Sequence, residues 1–176
     1  MNVLISAASR HGATWEIAEA IGEALAAAGL ASTVLPPEQV DDISEYDAVV
    51  LGSGVYAGRW LEPARELVDR AAPDLAARPV WLFSSGPIGD PPKPVGDPAD
   101  AGPIVERTGA REHKVFAGRL VKGELGLAER AIIAVVKAPE GDFRDWADIR
   151  TWAAGIAATL ATELAAPPPR LEPVPG

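Results

Sequence analysis

The sequence predicts an α/β fold: three layers, doubly wound around a five-stranded parallel sheet. Three observations carry that reading. Short, near-continuous apolar runs recur at Val3–Ile5, within 47–52 and within 79–85, the pattern of strands buried on both faces. Amphipathic stretches alternate with them, as parallel crossover connections require. Three of the run ends open into loops of glycine and hydroxyl residues, at 8–14, 52–60 and 84–90. In doubly wound sheets ligands bind at that carboxyl edge.

The elements follow in order. After the first strand, Ile17, Ala18, Ile21, Ala24, Leu25 and Ala28 recur at helical spacing. The first helix is therefore expected over about 13–28, stopped by Gly29. Ala31 to Leu35 reads as a second strand, ended by Pro36-Pro37. The third strand is the run at 47–52. A second helix is expected from Glu62 to Leu75, with Pro63 in its first turn. The run at 79–85 is the fourth strand. From Pro87 to Pro103 six prolines resist regular structure, with a short helix possible within 99–109. Lys114 to Gly118 reads as the fifth strand. Leu125 to Lys137 suits a helix, although Ile132–Val136 also fits a strand. A last helix, capped by Asp142 or Asp145, is expected to reach Leu164. Residues 166–176 hold five prolines and read as a disordered tail beyond a single 1–165 domain. No internal repeat is visible.

Composition narrows the chemistry. Apolar residues make up 48% of the 176, which excludes global disorder. The absence of cysteine removes disulfides, thiolate nucleophiles and thiolate metal sites, and two histidines far apart in sequence do not make a metal cluster. No run approaches the roughly 20 apolar residues of a spanning helix, and the start lacks the marks of a signal peptide. The expectation is a cytoplasmic protein with at most peripheral membrane contact. A net charge of −9 argues against nucleic acid as a partner. The charge is uneven: residues 1–106 hold 6 basic and 16 acidic groups, whereas 107–150 hold 9 and 7.

The candidate site lies at the three loops. Ser9, Arg10, His11, Gly12, Ala13 and Thr14 form a tight strand-to-helix turn that aims backbone N–H groups, two hydroxyls and a helix N-terminus at one point. Such a point binds an anion, most simply a phosphate; the plainer use of Ser9 or Thr14 is as a helix cap. The second loop, Ser53, Gly54, Val55, Tyr56, Ala57 and Gly58, carries an aromatic suited to stacking on a flat ring. Trp60 is equally suited to stacking or to packing under the second helix. The third loop, Ser84, Ser85, Gly86, Pro87, Ile88, Gly89 and Asp90, offers hydroxyls and flexible backbone to a ring edge. A phosphorylated planar cofactor satisfies all three loops, and FMN is the candidate.

These residues resemble the flavodoxin family, whose phosphate loop reads Ser/Thr-x-Thr-Gly-Asn-Thr. Ser9, Gly12 and Thr14 match it; His11 and Ala13 depart from it. The resemblance implies strand order 2-1-3-4-5 and FMN as cofactor. Within the family the chain resembles flavodoxin-domain proteins of the menaquinone-dependent protoporphyrinogen oxidase type. The residues that carry this are the 8–14 loop, the 53–60 loop with its tyrosine, Val115 to Leu120, and Gly141 to Trp146. That likeness implies an oxidoreductase passing electrons from a small reduced organic molecule to a quinone. Two other readings stand beside it: an electron carrier that docks to a redox partner protein, and a module that kept the fold and lost FMN. The proline-rich 87–109 segment, which follows the third loop, is expected to form a lid or wall over the site. Other doubly wound proteins lack support. There is no Gly-x-Gly-x-x-Gly after the first strand, no Gly-x-x-x-x-Gly-Lys-Ser/Thr, and no Gly-x-Ser-x-Gly elbow. Ser9 with His11 makes no hydrolytic dyad, and no general acid or base is evident.

Overall fold

A computed structural model describes residues 1–89 and 93–165. Its elements run β1 (Asn2–Ala8), α1 (Ala13–Ala27), β2 (Ala31–Leu35), β3 (Ala48–Tyr56), β4 (Arg59–Trp60), α2 (Glu62–Ala76) and β5 (Val80–Ser85). They continue with α3 (Ala101–Thr108), β6 (Glu112–Phe116), β7 (Arg119–Leu120), α4 (Leu127–Val136), β8 (Gly141–Asp142) and α5 (Trp146–Ala165). The long strands lie in the order β2-β1-β3-β5-β6, every pair parallel. With the two-residue β4 set aside, that is the expected 2-1-3-4-5 order.

Alternation along the strands divides the core into two slabs. Val3, Ile5, Val50, Trp81 and Phe83 face α1 and α5, where Ile17, Ile21, Ile149, Trp152 and Ile156 meet them. Leu4, Val49, Leu51 and Leu82 face the other way, against Leu67, Val68 and Leu75 of α2 and Ile104 of α3. Both faces of the central strands are buried, so their sequences read as apolar runs rather than alternating ones. Phe83 lies flat across β3, and only glycine allows it: a Cβ at Gly52 would come 2.1 Å from the ring. Phe83, Phe116 and Trp152 then pack as tilted and edge-on aromatics with centroids 5.5–6.3 Å apart.

Three element expectations are revised. The fifth long strand starts two residues early, at Glu112, and ends at Phe116. It is an edge strand, and Glu112, His113 and Lys114 interrupt the apolar pattern by which buried strands are recognised. The 125–137 stretch is helix, α4, from Leu127. Strand β3 continues past Gly52 to Tyr56 and turns back through Ala57 (φ 50°) and Gly58 (φ 74°) into β4. Two central residues with positive φ make the tight hairpin turn whose twist matches the strands. Asp145 caps α5, its Oδ1 accepting from the N–H groups of Ala147 and Asp148. The 166–176 tail lies outside the described residues. Among those described, no helix is long and apolar enough to cross a membrane.

Candidate functional site

The carboxyl ends of β1, β3 and β5 lie side by side, so the loops that leave them converge. Between β1 and α1 the chain turns through Gly12, held in the left-handed conformation (φ 81°) as the N-cap of α1. That conformation costs an L residue strain that glycine escapes. The first-turn N–H groups of α1 have no intrahelical acceptor. Beside them Ser9 Oγ is buried without a hydrogen-bond partner. A buried hydroxyl left unpaired is costly, and a ligand oxygen is the kind of partner that relieves it. Thr14 is 5% exposed and borders the same space.

A cleft of about 300 Å³ opens from this turn. From the first loop Ser9, Arg10, His11, Ala13 and Thr14 line it; from the second, Gly54, Val55, Tyr56 and Ala57; from the third, Ser85, Gly86 and Ile88. Tyr56 stands at its side, with the Arg10 guanidinium 5.1 Å from the ring centroid and the His11 ring 6.3 Å away. Burial and the nearby Glu129 carboxylate raise the Tyr56 pKa, with Arg10 opposing.

Gly12 caps α1 in the turn itself, and Ser53, Gly58, Ser84, Pro87 and Gly89 are not among the residues that line the cleft. Ser53 Oγ donates to Gly54 O and accepts the Leu61 N–H. Ser84 Oγ accepts from Trp60 Nε1 at 2.7 Å and meets His113 Nε2 at 2.8 Å, on the α2 side of the sheet. Trp60, 2% exposed, is therefore a packing residue rather than a ring-stacking one. Asp90 lies outside the described residues. The 87–109 segment does not wall the cleft: among its described residues only Ile88 lines it. Instead Asp100 accepts the Trp60 N–H, Ala99 N donates to Gly58 O, and Asp97 meets His113. These bonds hold the segment over the β4 side.

The wall comes from residues 117–143. Gly118, Arg119, Leu120, Val121, Glu124, Leu125, Glu129, Ile132 and Ile133 complete the lining of the cleft. The excursion starts at a close backbone approach, where a Cβ on Gly118 would lie 3.3 Å from Gly86 Cα. It is closed at its base by the antiparallel β7–β8 pair. Just beyond, the buried Arg144 bonds Asp142 (2.6 Å), Glu16 (2.8 Å) and Ala13 O (3.0 Å). Arg119 also reaches Glu16 (2.9 Å) and His11 O (3.3 Å). The ion pair with Arg144 holds the Asp142 carboxyl below the usual range. Further along, α4 leans on the first loop through Glu129, whose Oε1 lies 3.1 Å from Arg10 and 3.3 Å from His11. Glu129 also accepts the Gly126 N–H, and chiefly for that reason its pKa is lowered. The sequence signals for this wall are the basic excess over 107–150, with Arg107, Arg111, Lys114, Arg119 and Lys122, and the helix expected over 125–137. Neither showed which way the excursion folds.

A doubly wound sheet with an anion-accepting turn after β1 and an aromatic-sided cleft at its carboxyl edge defines a nucleotide- or flavin-binding α/β protein. The chain belongs to the Flavodoxin domain family, whose signature matches residues 4–146. No curated protein matches it. Among solved structures it is similar to a flavodoxin from the domain Archaea, at 15% identity and TM-score 0.63, covering 92% of this chain and 99% of that one. It is also similar to rubredoxin oxygen:oxidoreductase from the anaerobe Desulfovibrio gigas, at 16% identity and TM-score 0.65. That match covers 94% of this chain but 37% of the other. A third likeness is to Megasphaera elsdenii flavodoxin in its two-electron reduced form, at 28% identity and TM-score 0.54, over 65% and 85% of the two chains. The first two matches speak for the fold alone. Family membership implies FMN as the cofactor and electron transfer as the class of function. The site suits that group: an unpaired buried hydroxyl at Ser9, open helix N–H groups, and an apolar cleft sided by Tyr56.

Proposed function

We propose that the chain is an FMN-dependent oxidoreductase that passes electrons from a small reduced organic molecule to a quinone. The observation that carries this is the wall at 117–143. Leu120, Leu125, Ile132 and Ile133 line the cleft together with Val55 and Ile88, an apolar lining suited to a flat redox molecule. Ser9, Thr14 and the first N–H groups of α1 would hold the FMN phosphate, and Tyr56 would stand beside the ring. When bound, FMN supplies the electron-accepting and electron-donating ring system. The protein's part is to orient that ring and keep water from it: the apolar wall lowers the local dielectric. Arg119, tied to Glu16 and His11 O, holds the base of the wall against the first loop.

Within this class protoporphyrinogen is the donor to try first, on the sequence resemblance alone. The alternative is a carrier that exchanges electrons with a partner protein. The test is anaerobic mixing of the chemically reduced FMN protein with a soluble naphthoquinone. Rapid reoxidation, slowed about tenfold by Ile133→Ser through lost apolar contact, is expected. Reoxidation no faster than that of free reduced FMN would overturn the reading. A colourless protein that takes up no added FMN would point instead to a module without cofactor.

A further inference from the structure

Two guanidiniums from far along the chain grip the turn between β1 and α1 by its carbonyls. Arg119 Nη2 donates to His11 O at 3.3 Å, and Arg144 Nη1 donates to Ala13 O at 3.0 Å. These oxygens stand on either side of Gly12. In a trans peptide the N–H points opposite to its own C=O. The peptide that carries His11 O also carries the Gly12 N–H, and the peptide of Ala13 O carries the Thr14 N–H. Fixing the two oxygens therefore fixes the aim of two donors. Glu16 ties the arginines together, its Oε1 2.9 Å from Arg119 Nη1 and its Oε2 2.8 Å from Arg144 Nη1. Asp142 takes the rest of the Arg144 fork through two bonds, at 2.8 and 2.6 Å, and it faces Arg119 across the β7–β8 pair. The Arg144 side chain is 2% exposed, with its Cζ 4.5 Å from the centroid of the Trp146 ring.

We infer that Glu16, Arg119 and Arg144 are positioning residues for the FMN phosphate, presetting the Gly12 and Thr14 N–H groups before the ligand arrives. The cluster brings no net positive charge to the turn. Glu16 and Asp142 balance the two guanidiniums, and Glu124 lies 3.7 Å from Arg119. Its contribution to an anion site is therefore aim rather than attraction. Donors already held in place bind more tightly than donors that must be ordered on binding. Nor is stability the main yield of such a cluster, because desolvation offsets much of the attraction between buried charges. Glu16 and Arg144 are not among the residues that line the cleft, so both act on the ligand through the turn. Arg119 and Arg144 also stand at the two ends of the 117–143 wall. One cluster thus shapes the phosphate turn and seats the wall beside it. This rests on the phosphate lying at the turn and holds whatever the electron acceptor is.

The experiment is fluorescence titration of the full chain, freed of FMN, with FMN and separately with riboflavin. Two variants are compared with the unaltered protein. Glu16→Ala removes a half-exposed carboxylate and keeps a good helix former in α1. Arg144→Lys keeps the charge and loses the fork. Each should weaken FMN about tenfold, the worth of one well-aimed charge-assisted bond, and leave riboflavin within about twofold. For Glu16→Ala the sign is decisive. Charge alone predicts tighter FMN binding once a carboxylate beside the turn is gone; a lost anchor predicts weaker binding. Circular dichroism and the retained riboflavin affinity report that the variants are folded, and Glu16→Ala suffices where Arg144→Lys does not fold. Tighter FMN binding by Glu16→Ala would overturn the inference. So would equal losses for the two ligands, which mark a cluster that only holds the fold, or an unchanged preference for FMN. An unaltered protein that binds riboflavin as tightly as FMN would overturn the placement of the phosphate, and this inference with it.

Discussion

The hydroxyl of Ser84 lies 2.8 Å from Nε2 of His113. Nδ1 of the same ring lies 3.3 Å from Asp97, and Trp60 Nε1 donates to the hydroxyl from the other side. One proton arrangement satisfies every group. Nδ1–H faces the carboxylate, Ser84 O–H donates to Nε2, and Ser84 Oγ accepts from Trp60. The outline is that of a hydrolytic triad, but Ser84 is 0% exposed and no substrate reaches it. The chain ties its proline-rich segment to β5 and β6, and it needs a neutral imidazole.

That need has a pH signature. Burial lowers the His113 pKa, with Asp97 pulling it partly back. The unfolded chain therefore takes up the proton before the native one does, and its stabilising effect is complete above about pH 6.5, the unfolded value. It is lost as pH falls from there toward the lower native value. His113→Gln should remove that part of the slope. Urea midpoints on either side of about pH 6 measure it; identical slopes in both proteins would refute it.

Ser9→Ala should separate binding from stability. The hydroxyl is buried and unpaired, so its loss leaves the FMN-free protein as stable or slightly more so. FMN affinity should drop about tenfold, the loss of one charge-assisted bond, while riboflavin binds as before. Thr14→Ala should discriminate between the two ligands in the same way. Fluorescence titration with each ligand decides it: equal losses for both would move the phosphate away from this turn.

Gly52→Ala should damage the core out of proportion to one methyl group. Its Cβ would come within 2.1–2.5 Å of three Phe83 ring atoms, and that ring is locked against Phe116 and Trp152. Overpacking of this kind costs about 1–3 kcal/mol. The companion variant Gly52→Ala/Phe83→Leu should regain part of the loss. A melting temperature unchanged by Gly52→Ala alone would show that Phe83 has room to move.

Much of this is legible in the sequence because central parallel strands announce themselves. Val3–Ile5, Val49–Leu51 and Val80–Phe83 are buried on both sides, so they contain little else but apolar residues. The turn at 9–14 is legible for a related reason: a strand, a glycine and hydroxyls before an amphipathic helix leave few geometries. Ser84 and Ser85 are adjacent and chemically alike, yet strand alternation sends one under α2 and the other into the cleft. Composition holds no record of that parity. Trp60 was ambiguous because an indole serves equally as stacking surface and as buried donor, and only its partner, 24 residues away in the chain, decides. The wall at 117–143 was hidden for a third reason. It is fixed by contacts of long sequence separation, such as Arg144 to Glu16 and Glu129 to His11, which no local pattern encodes.

The β7–β8 pair brings Arg119 opposite Asp142 and Leu120 opposite Gly141, so the excursion between them leaves and rejoins the fold at nearly the same place. A segment inserted in that way adds little loop-closure entropy and imposes no register on the sheet. It is a cassette. Its length, its helix and its lining can be exchanged while β1, Gly12 and the two core slabs stay as they are. The same two-residue ladder marks where an engineer would cut to exchange the wall without disturbing the anchoring turn.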